Sequence, residues 1–182
     1  MRLSIILAVD SYFGIGKNNK LPWNISSDMK YFKEITSKTK DLAKHNAVIM
    51  GRKTWESIPS KFRPLKNRIN CILSKSLKVE SINSKIDDFI LYFNSLESCI
   101  NEIKNKENLE NVFVIGGAKL YNQVINSPLL ERIYLTRVFG NFHCDVFFEK
   151  IPNDFEIQSV SELKEENGIR FNFQVWEKEK KK

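Results

Sequence analysis

The alternation of strand-length apolar runs with helical patterns constrains the fold of this 182-residue chain more than any other feature. The run "LSIILAV" at residues 3–9 is continuously apolar, which is typical of a strand buried on both faces. Strands and helices alternate through the first two thirds, whereas the last third carries strands without intervening helices. The pattern predicts one three-layer α/β domain over residues 1–182, with a mostly parallel sheet and an antiparallel edge formed by the C-terminal strands.

Composition excludes several classes of protein. No apolar stretch approaches the roughly 20 residues that span a bilayer, and the N-terminal run is too short for a secretory signal. The three cysteines and two histidines are too widely spaced for a structural metal site. We therefore expect no metal, no membrane partner, and reduced thiols in the cytoplasm. The basic end, residues 177–182, has the character of a solvated tail or the start of a linker.

Three strand ends carry a glycine or small polar residue followed by basic side chains. These junctions are "VIM-GRKT", "CIL-SKS" and "FVI-GGAK". In a parallel sheet such ends lie together, where glycine lets the backbone approach a phosphate. Any one of them is compatible with an ordinary turn, but three together favour a dinucleotide site. The positive charge of Arg52, Lys53 and Lys75 favours a 2′-phosphorylated dinucleotide.

The stretch "GIGKNNKLPW", residues 14–23, does not fit a dinucleotide fingerprint. Asn19 replaces the third glycine, and Leu21-Pro22-Trp23 stands where a helix should begin. We interpret the stretch as a glycine-hinged irregular loop with a large apolar clamp, which is closer to a lid than to a phosphate cradle.

Asp28 is the most informative ionisable residue. It lies in a predicted helix, "NISSDMKYFKEIT", for which Ser26 or Ser27 can supply the cap. Tyr31, Phe32 and Ile35 share its face, so the carboxylate points toward an apolar surface. Two interpretations stay open from the pattern alone, a functional carboxylate or a helix-start acid that complements the dipole.

Seven motifs in order make the chain resemble dihydrofolate reductase over almost its whole length. They are "GIGKNNKLPW", "SSDMKYF", "VIMGRKTWESIP", "RPLKNRINCILS", "VFVIGGAKLY", "IYLTRV" and "DVFF". The resemblance implies an eight-stranded, mostly parallel sheet flanked by four helices. It also implies NADPH-dependent reduction of 7,8-dihydrofolate to tetrahydrofolate, with antifolates as inhibitors.

The resemblance also implies roles for individual residues. Asp28 would be the carboxylate that binds the pterin, with Thr136 hydrogen-bonded to it and Leu21 and Trp23 in the lid. Arg68 would hold the α-carboxylate of the substrate's glutamate. The folate pocket would further comprise Ile6, Leu7, Met29, Phe32, Ile58, Phe62, Leu65 and Ile115. Cofactor-binding positions would be Ala8, Ile15, Gly16, Gly51, Arg52, Lys53, Thr54, Leu73, Ser74, Lys75, Ile115, Gly116, Gly117, Ala118, Lys119, Leu120 and Tyr121.

Two other functions stay open at this point. One is a different NADPH-dependent reductase on the same fold, such as one acting on a riboflavin precursor, which needs neither Asp28 nor Arg68. The other is a basic nucleic-acid-binding module, because the net charge is +7. Its scattered lysines and core-like aromatics disfavour nucleic acid as a partner. In some lineages the family is fused to thymidylate synthase, so fusion to or association with that enzyme is a further expectation.

Overall fold

The structure is a computed structural model, and it describes residues 1–76 and 89–179. The strands in chain order are β1 (Leu3–Val9), β2 (Gly14–Gly16), β3 (His45–Gly51), β4 (Arg68–Leu73), β5 (Ile90–Phe93), β6 (Leu109–Val114), β7 (Leu130–Phe139), β8 (Val146–Phe147), β9 (Phe155–Val160), β10 (Lys164–Glu166) and β11 (Ile169–Lys178). The helices are α1 (Ser26–Ser37), α2 (Arg52–Ser57), α3 (Leu96–Ile103) and α4 (Ala118–Val124), with a 3₁₀ turn at Ser60–Phe62.

One mixed sheet organises the part of the chain that the structure describes. Its order is β10-β11-β7-β1-β6-β3-β4-β5, and β9 pairs with the same side of β11 as β10 does. Nine strands therefore fill eight positions. The strands from β7 to β5 in this order are parallel to one another. β11 pairs antiparallel with β7 on one side and with β9 and β10 on the other. The predicted three-layer α/β fold with an antiparallel C-terminal edge is confirmed.

Helices cover both faces of this sheet, which explains the uninterrupted apolar run in β1. Leu3, Ile5, Leu7 and Val9 pack on one face with α3 and α4, whereas Ile6 packs on the other with α1 and α2. Successive strand residues point to opposite faces, so both must be apolar when both faces are covered. No helix in the described ranges is long and apolar enough to cross a membrane.

The interpretation of residues 14–23 as an irregular loop is wrong for its first half. Gly14–Gly16 forms β2, which pairs with β8 in a separate two-stranded sheet. Lys17 and Lys20 exchange backbone hydrogen bonds of 2.9 and 3.0 Å around Asn18 and Asn19, which have φ angles of 49° and 60°. Two asparagines in left-handed conformation make a tight two-residue turn. Residues 14–20 are therefore a regular hydrogen-bonded segment, whereas the hinge and lid role of the stretch stays a prediction.

Topology gathers the ends of β1, β3, β6 and β7 at one edge of the sheet. The chain proceeds from β3 through β4 to β5 on one side of β1, and then returns to insert β6 between β1 and β3. β7 then pairs with the other side of β1. Such a reversal of strand order leaves a crevice beyond the carboxyl ends of the strands, where ligands bind in open α/β sheets.

Candidate active site

A buried carboxylate, that of Asp28, lies in the first turn of α1. The Thr136 hydroxyl on β7 donates a hydrogen bond of 2.6 Å to its Oδ1. Burial raises the pKa of Asp28, and the bond from Thr136 opposes that rise. Among the described residues only Thr136 donates to this carboxylate, so its second oxygen is available to a ligand.

The N-terminus of α1 is held by Glu166 and not by a local serine. The predicted Ser26 or Ser27 cap is wrong, because Ile25 occupies the cap position and no side chain caps it locally. The Glu166 carboxylate of β10 accepts from the backbone N–H groups of Ser26 (2.5 Å) and Ser27 (3.0 Å) and from the Ser27 hydroxyl (2.6 Å). These bonds lower the pKa of Glu166 and fix the helix end that carries Asp28.

An apolar wall extends from Asp28 along α1 and across the sheet. Five of the predicted pocket residues pack in one cluster with Val48, Met50, Ile72 and Phe113: they are Ile6, Phe32, Ile58, Leu65 and Ile115. Three others are placed apart from that cluster. Leu7 points to the opposite face of the sheet, and Met29 and Phe62 are 55% and 57% exposed. The structure thus assembles most of the predicted pocket on one sheet face.

Arg68, at the start of β4, is a buried cation without a carboxylate partner among the described residues. Its Nη1 donates to the Thr36 hydroxyl at 2.8 Å and its Nε to the Lys66 carbonyl at 3.0 Å. The guanidinium carbon lies 5.9 Å from the centre of the Phe32 ring. Burial lowers the pKa of Arg68 to about 10, so the group is still charged at neutral pH. A buried, charged fork of this kind suits a ligand carboxylate.

The two charged groups are aligned along one helix. Asp28, Phe32 and Thr36 lie four residues apart on α1, and Thr36 accepts the hydrogen bond of Arg68. With a rise of 1.5 Å per residue, the Asp28 and Thr36 positions are about 12 Å apart. The carboxylate, the Phe32 ring and the guanidinium therefore mark a polar–apolar–polar sequence along one wall.

Trp23, at the end of the 14–23 stretch, lies in a cluster with Ile25, Val138 and Phe171, against which the predicted cofactor residue Ala8 also packs. Trp23 is 6% exposed, and its Nε1 lacks a hydrogen-bond partner among the described residues. A buried indole N–H normally has a partner, so this atom is suited to a water or a ligand. Leu21, two residues earlier, is 50% exposed at the rim.

The glycine junctions of β3 and β6 meet on the other side of the crevice. The Gly51 N–H donates to the Gly116 carbonyl at 2.8 Å, and Gly116 and Gly117 are joined by a cis peptide bond. Gly116 has a φ of +116°, and a Cβ there would lie 3.2 Å from the Tyr121 hydroxyl and 3.5 Å from that of Thr54. Space of this kind admits backbone or a ligand but no side chain.

The remaining predicted cofactor positions surround this glycine junction less uniformly. Arg52, Lys53, Lys75 and Lys119 are exposed, and Arg52 pairs with Glu56 at 2.8 Å. Ser74 is buried, whereas Ala8, Ile15, Gly16, Leu73 and Ala118 are half-buried. Leu120 and Tyr121 lie in the core, where the Tyr121 hydroxyl donates to the Ile6 carbonyl at 3.1 Å. The exposed basic groups and the glycine backbone without side chains fit a phosphorylated dinucleotide, whereas Leu120 packs in the core.

Two carboxylates at the rim of the site escaped sequence reasoning. Glu166 was missed because it acts on a helix 140 residues earlier. Asp10 was missed although a charged residue directly after a buried strand is a usable signal. It is 1% exposed, and its carboxylate accepts hydrogen bonds from two segments of the chain.

Comparison with known proteins identifies the family. The sequence model described as dihydrofolate reductase matches residues 2–178. A dihydrofolate reductase from Drosophila melanogaster is 38% identical over 98% of both chains, and a putative dihydrofolate reductase from Caenorhabditis elegans is 40% identical over 96% of both. A bifunctional dihydrofolate reductase-thymidylate synthase of Arabidopsis thaliana is 38% identical over 93% of this chain and 30% of its own length. The chain belongs to the dihydrofolate reductase family.

Proposed function

We propose that this chain reduces 7,8-dihydrofolate to tetrahydrofolate with NADPH as the reductant. The observation that carries the proposal is the pair of incompletely partnered buried charges, Asp28 and Arg68, at the two ends of one apolar wall. Dihydrofolate has matching ends, since its pterin offers N–H donors and its glutamate offers carboxylates. The spacing of about 12 Å along α1 suits an extended ligand rather than a compact one.

In this proposal Asp28 binds the pterin edge through its free oxygen. Thr136 holds the other oxygen and so fixes the orientation of the carboxylate. Ionisation of Asp28 is disfavoured by burial, and a cationic pterin restores the balance by pairing with the charged form. Asp28 then acts by orienting and polarising the ring, and a water beside Trp23 Nε1 delivers the proton.

The second ligand is a dinucleotide held at the glycine junction. Gly51, Gly116, Gly117 and Thr54 would receive it, because the glycines present no side chain and the Thr54 hydroxyl lies 3.5 Å from where a Cβ on Gly116 or Gly117 would be. When bound, NADPH supplies the hydride, while the protein supplies orientation and exclusion of water. The exposed cations Lys53 and Lys75, with Arg52 once released from Glu56, favour the 2′-phosphate of NADPH over NADH.

The assay that tests the proposal is NADPH oxidation by the purified chain on addition of dihydrofolate, with tetrahydrofolate identified as the product. We expect turnover that an antifolate suppresses and a clear preference for NADPH over NADH. Charge-neutral substitution of Lys53 and Lys75 should raise the KM for NADPH far more than that for NADH. Oxidation with a riboflavin precursor but not with dihydrofolate would assign the chain to the alternative reductase instead.

We also propose a reducing, cytoplasmic setting for this activity. Cys71 and Cys99 are buried free thiols, and a hydrogen bond between them, together with burial, raises the pKa of Cys99. Adjacent thiols persist in this form where the environment is reducing. Association with thymidylate synthase, as a fusion or as a complex, stays a prediction that co-purification from source cells would test.

A further inference from the structure

Asp10 follows directly after β1, and its buried carboxylate accepts hydrogen bonds on both oxygens. Its Oδ1 accepts from the backbone N–H groups of Tyr12 and Gly14, both at 2.8 Å. Its Oδ2 accepts from the Phe142 N–H at 3.3 Å and from the Cys144 thiol at 3.5 Å. Each oxygen therefore serves a different segment of the chain.

The two segments joined in this way are the turn at residues 10–14 and the β7–β8 connection at residues 140–145. The turn leads directly into β2 and the hairpin at residues 17–20. The segments also exchange hydrogen bonds between Ser11 and Gly140, at 2.9 and 3.1 Å. Arg137 donates to the Ser11 carbonyl at 3.0 Å and places a positive charge near the Asp10 carboxylate. The carboxylate thus lies at the centre of a junction between two loops.

Packing at this junction leaves little room for another arrangement. A Cβ on Gly14 would lie 2.4 Å from the Cβ of Cys144 and 3.0 Å from the Asp10 Oδ1. Close approach of the two segments is therefore fixed by sterics as well as by hydrogen bonds.

Phe142, whose backbone N–H donates to Asp10, also contacts Trp23 through its ring. The Phe142 ring meets the Trp23 indole edge-to-face, with 5.3 Å between ring centres. Trp23 carries the buried Nε1 without a partner among the described residues. A shift of the Phe142 backbone therefore moves the surface on which the Trp23 indole rests.

We propose that Asp10 is a positioning residue that locks the 10–14 turn to the β7–β8 connection and, through Phe142, holds Trp23 in place for catalysis. This inference rests on the proposed function. Asp10 itself is not a catalytic residue, because its carboxylate is occupied by backbone and thiol donors. Its effect on the reaction is indirect and passes through the position of an indole.

The variant Asp10→Asn removes the hydrogen-bond acceptor for one of the two segments, either the 10–14 turn or the β7–β8 connection. One oxygen becomes an amide nitrogen, which cannot accept, so a donor now faces the donors of either the turn or the β7–β8 connection. Asp41→Asn is the matched control, because the exposed Asp41 carboxylate makes a similar bond to the Ala43 N–H at 2.9 Å.

Two readouts are measured on wild type and both variants at a temperature where all are folded. The first is kcat/KM for dihydrofolate, and the second is the NMR signal of the Trp23 indole N–H, assigned with Trp23→Phe. We expect Asp10→Asn to lower kcat/KM roughly 10- to 100-fold, the usual cost of a small misplacement, and to shift the Trp23 signal. The Trp55 and Trp176 signals and the control variant should be unchanged.

Wild-type kcat/KM in Asp10→Asn would overturn the inference. So would a lower melting temperature with an unmoved Trp23 signal, because a merely structural role predicts that result. Failure of the wild-type chain to oxidise NADPH with dihydrofolate is a different outcome, which counts against the proposed function. In that case a Trp23 signal that moves in Asp10→Asn still supports the positional link, and an unmoved one overturns it.

Discussion

Two buried aspartates, Asp10 and Asp28, differ in how completely the protein satisfies them. Asp10 is 1% exposed and receives hydrogen bonds on both oxygens from four donors. Asp28 is 9% exposed and, among the described residues, receives one hydrogen bond on one oxygen, from Thr136. The two carboxylates are therefore buried to a similar extent, but both oxygens of Asp10 accept hydrogen bonds, whereas only one oxygen of Asp28 does so among the described residues.

The difference agrees with the two proposed roles, in which Asp10 positions neighbouring segments and Asp28 binds a ligand. A buried polar group without partners carries a free-energy cost that a well-placed ligand can relieve. Asp28 and Arg68 both have this unfinished character, and they lie along the same wall.

The largest effect is expected for Asp28→Asn. The amide cannot pair with a cationic pterin, so turnover should fall by roughly 10² to 10⁴, the range of acid–base assistance, while NADPH binding is retained. Steady-state kinetics with dihydrofolate and a cofactor titration measure both quantities. Turnover near the wild-type value would show that Asp28 does not bind the pterin, and its incomplete hydrogen bonding would then have no role in the reaction.

Arg68→Gln should have the next largest effect, on binding rather than on chemistry. Removal of a buried, hydrogen-bonded charge opposite a ligand carboxylate costs about 2 kcal/mol, or roughly 30-fold in the KM for dihydrofolate. Arg2→Gln is the control, because Arg2 is exposed and pairs with Glu131. An unchanged KM in Arg68→Gln would show that its missing carboxylate partner is not the substrate.

Thr136→Val removes the hydrogen bond that the Asp28 carboxylate accepts within the described part of the chain. Because the Thr136 bond lowers the pKa of Asp28, its loss should raise that pKa further. The ionised form is then populated only at higher pH, so kcat/KM should fall by up to roughly tenfold, the worth of one hydrogen bond, on the acidic side of its pH profile. The pH profile of kcat/KM should also shift toward alkaline values. A profile that shifts the other way, or stays in place, contradicts the assignment of this bond.

Asp28→Asn should also change stability with pH. The folded-state pKa of Asp28 lies above its unfolded value, so wild type loses stability as pH rises from the unfolded pKa to the folded one. The variant lacks this loss, and we expect it to melt at a higher temperature than wild type at neutral pH but not in acid. Thermal melts across pH measure the difference. A variant less stable than wild type at neutral pH would contradict this.

The smallest effect is expected for Glu166→Gln, because Glu166 is a half-buried carboxylate at the edge of the sheet. Its pKa is lowered in the folded state, so its stabilisation is present above the unfolded pKa and is lost as pH falls through the folded one. The variant should melt slightly below wild type at neutral pH, with no difference in acid. Equal melting at both pH values would mean that the α1 end needs no anion.

Much of the sheet could be predicted from sequence because its strands are buried on both faces. The apolar run at residues 3–9 coincides with β1, and the predicted antiparallel C-terminal edge is formed by β11 and its partners. What escaped prediction depends on distant partners. Glu166 caps α1 from β10, and β2 exists because β8 approaches it. No local pattern encodes contacts of that kind.

The candidate site was predictable to a different degree at its two ends. The spacing of Phe32 from Asp28 placed both on one helix face, and α1 bears this out. The pairing of Asp28 with Thr136, 108 residues later, came from the family resemblance and not from periodicity. For Leu7 the resemblance and the local pattern disagree. The resemblance places Leu7 in the folate pocket, whereas strand alternation directs it to the sheet face opposite Ile6, where the structure has it.

The most direct test of the central claim is calorimetric binding of folate and of a pterin fragment that lacks the glutamate tail. If Asp28 and Arg68 bind opposite ends of one ligand, Asp28→Asn should weaken both compounds. Arg68→Gln should then weaken folate alone and leave the affinity for the fragment as in wild type. Equal losses for both compounds in Arg68→Gln, or wild-type affinities in Asp28→Asn, would contradict the account.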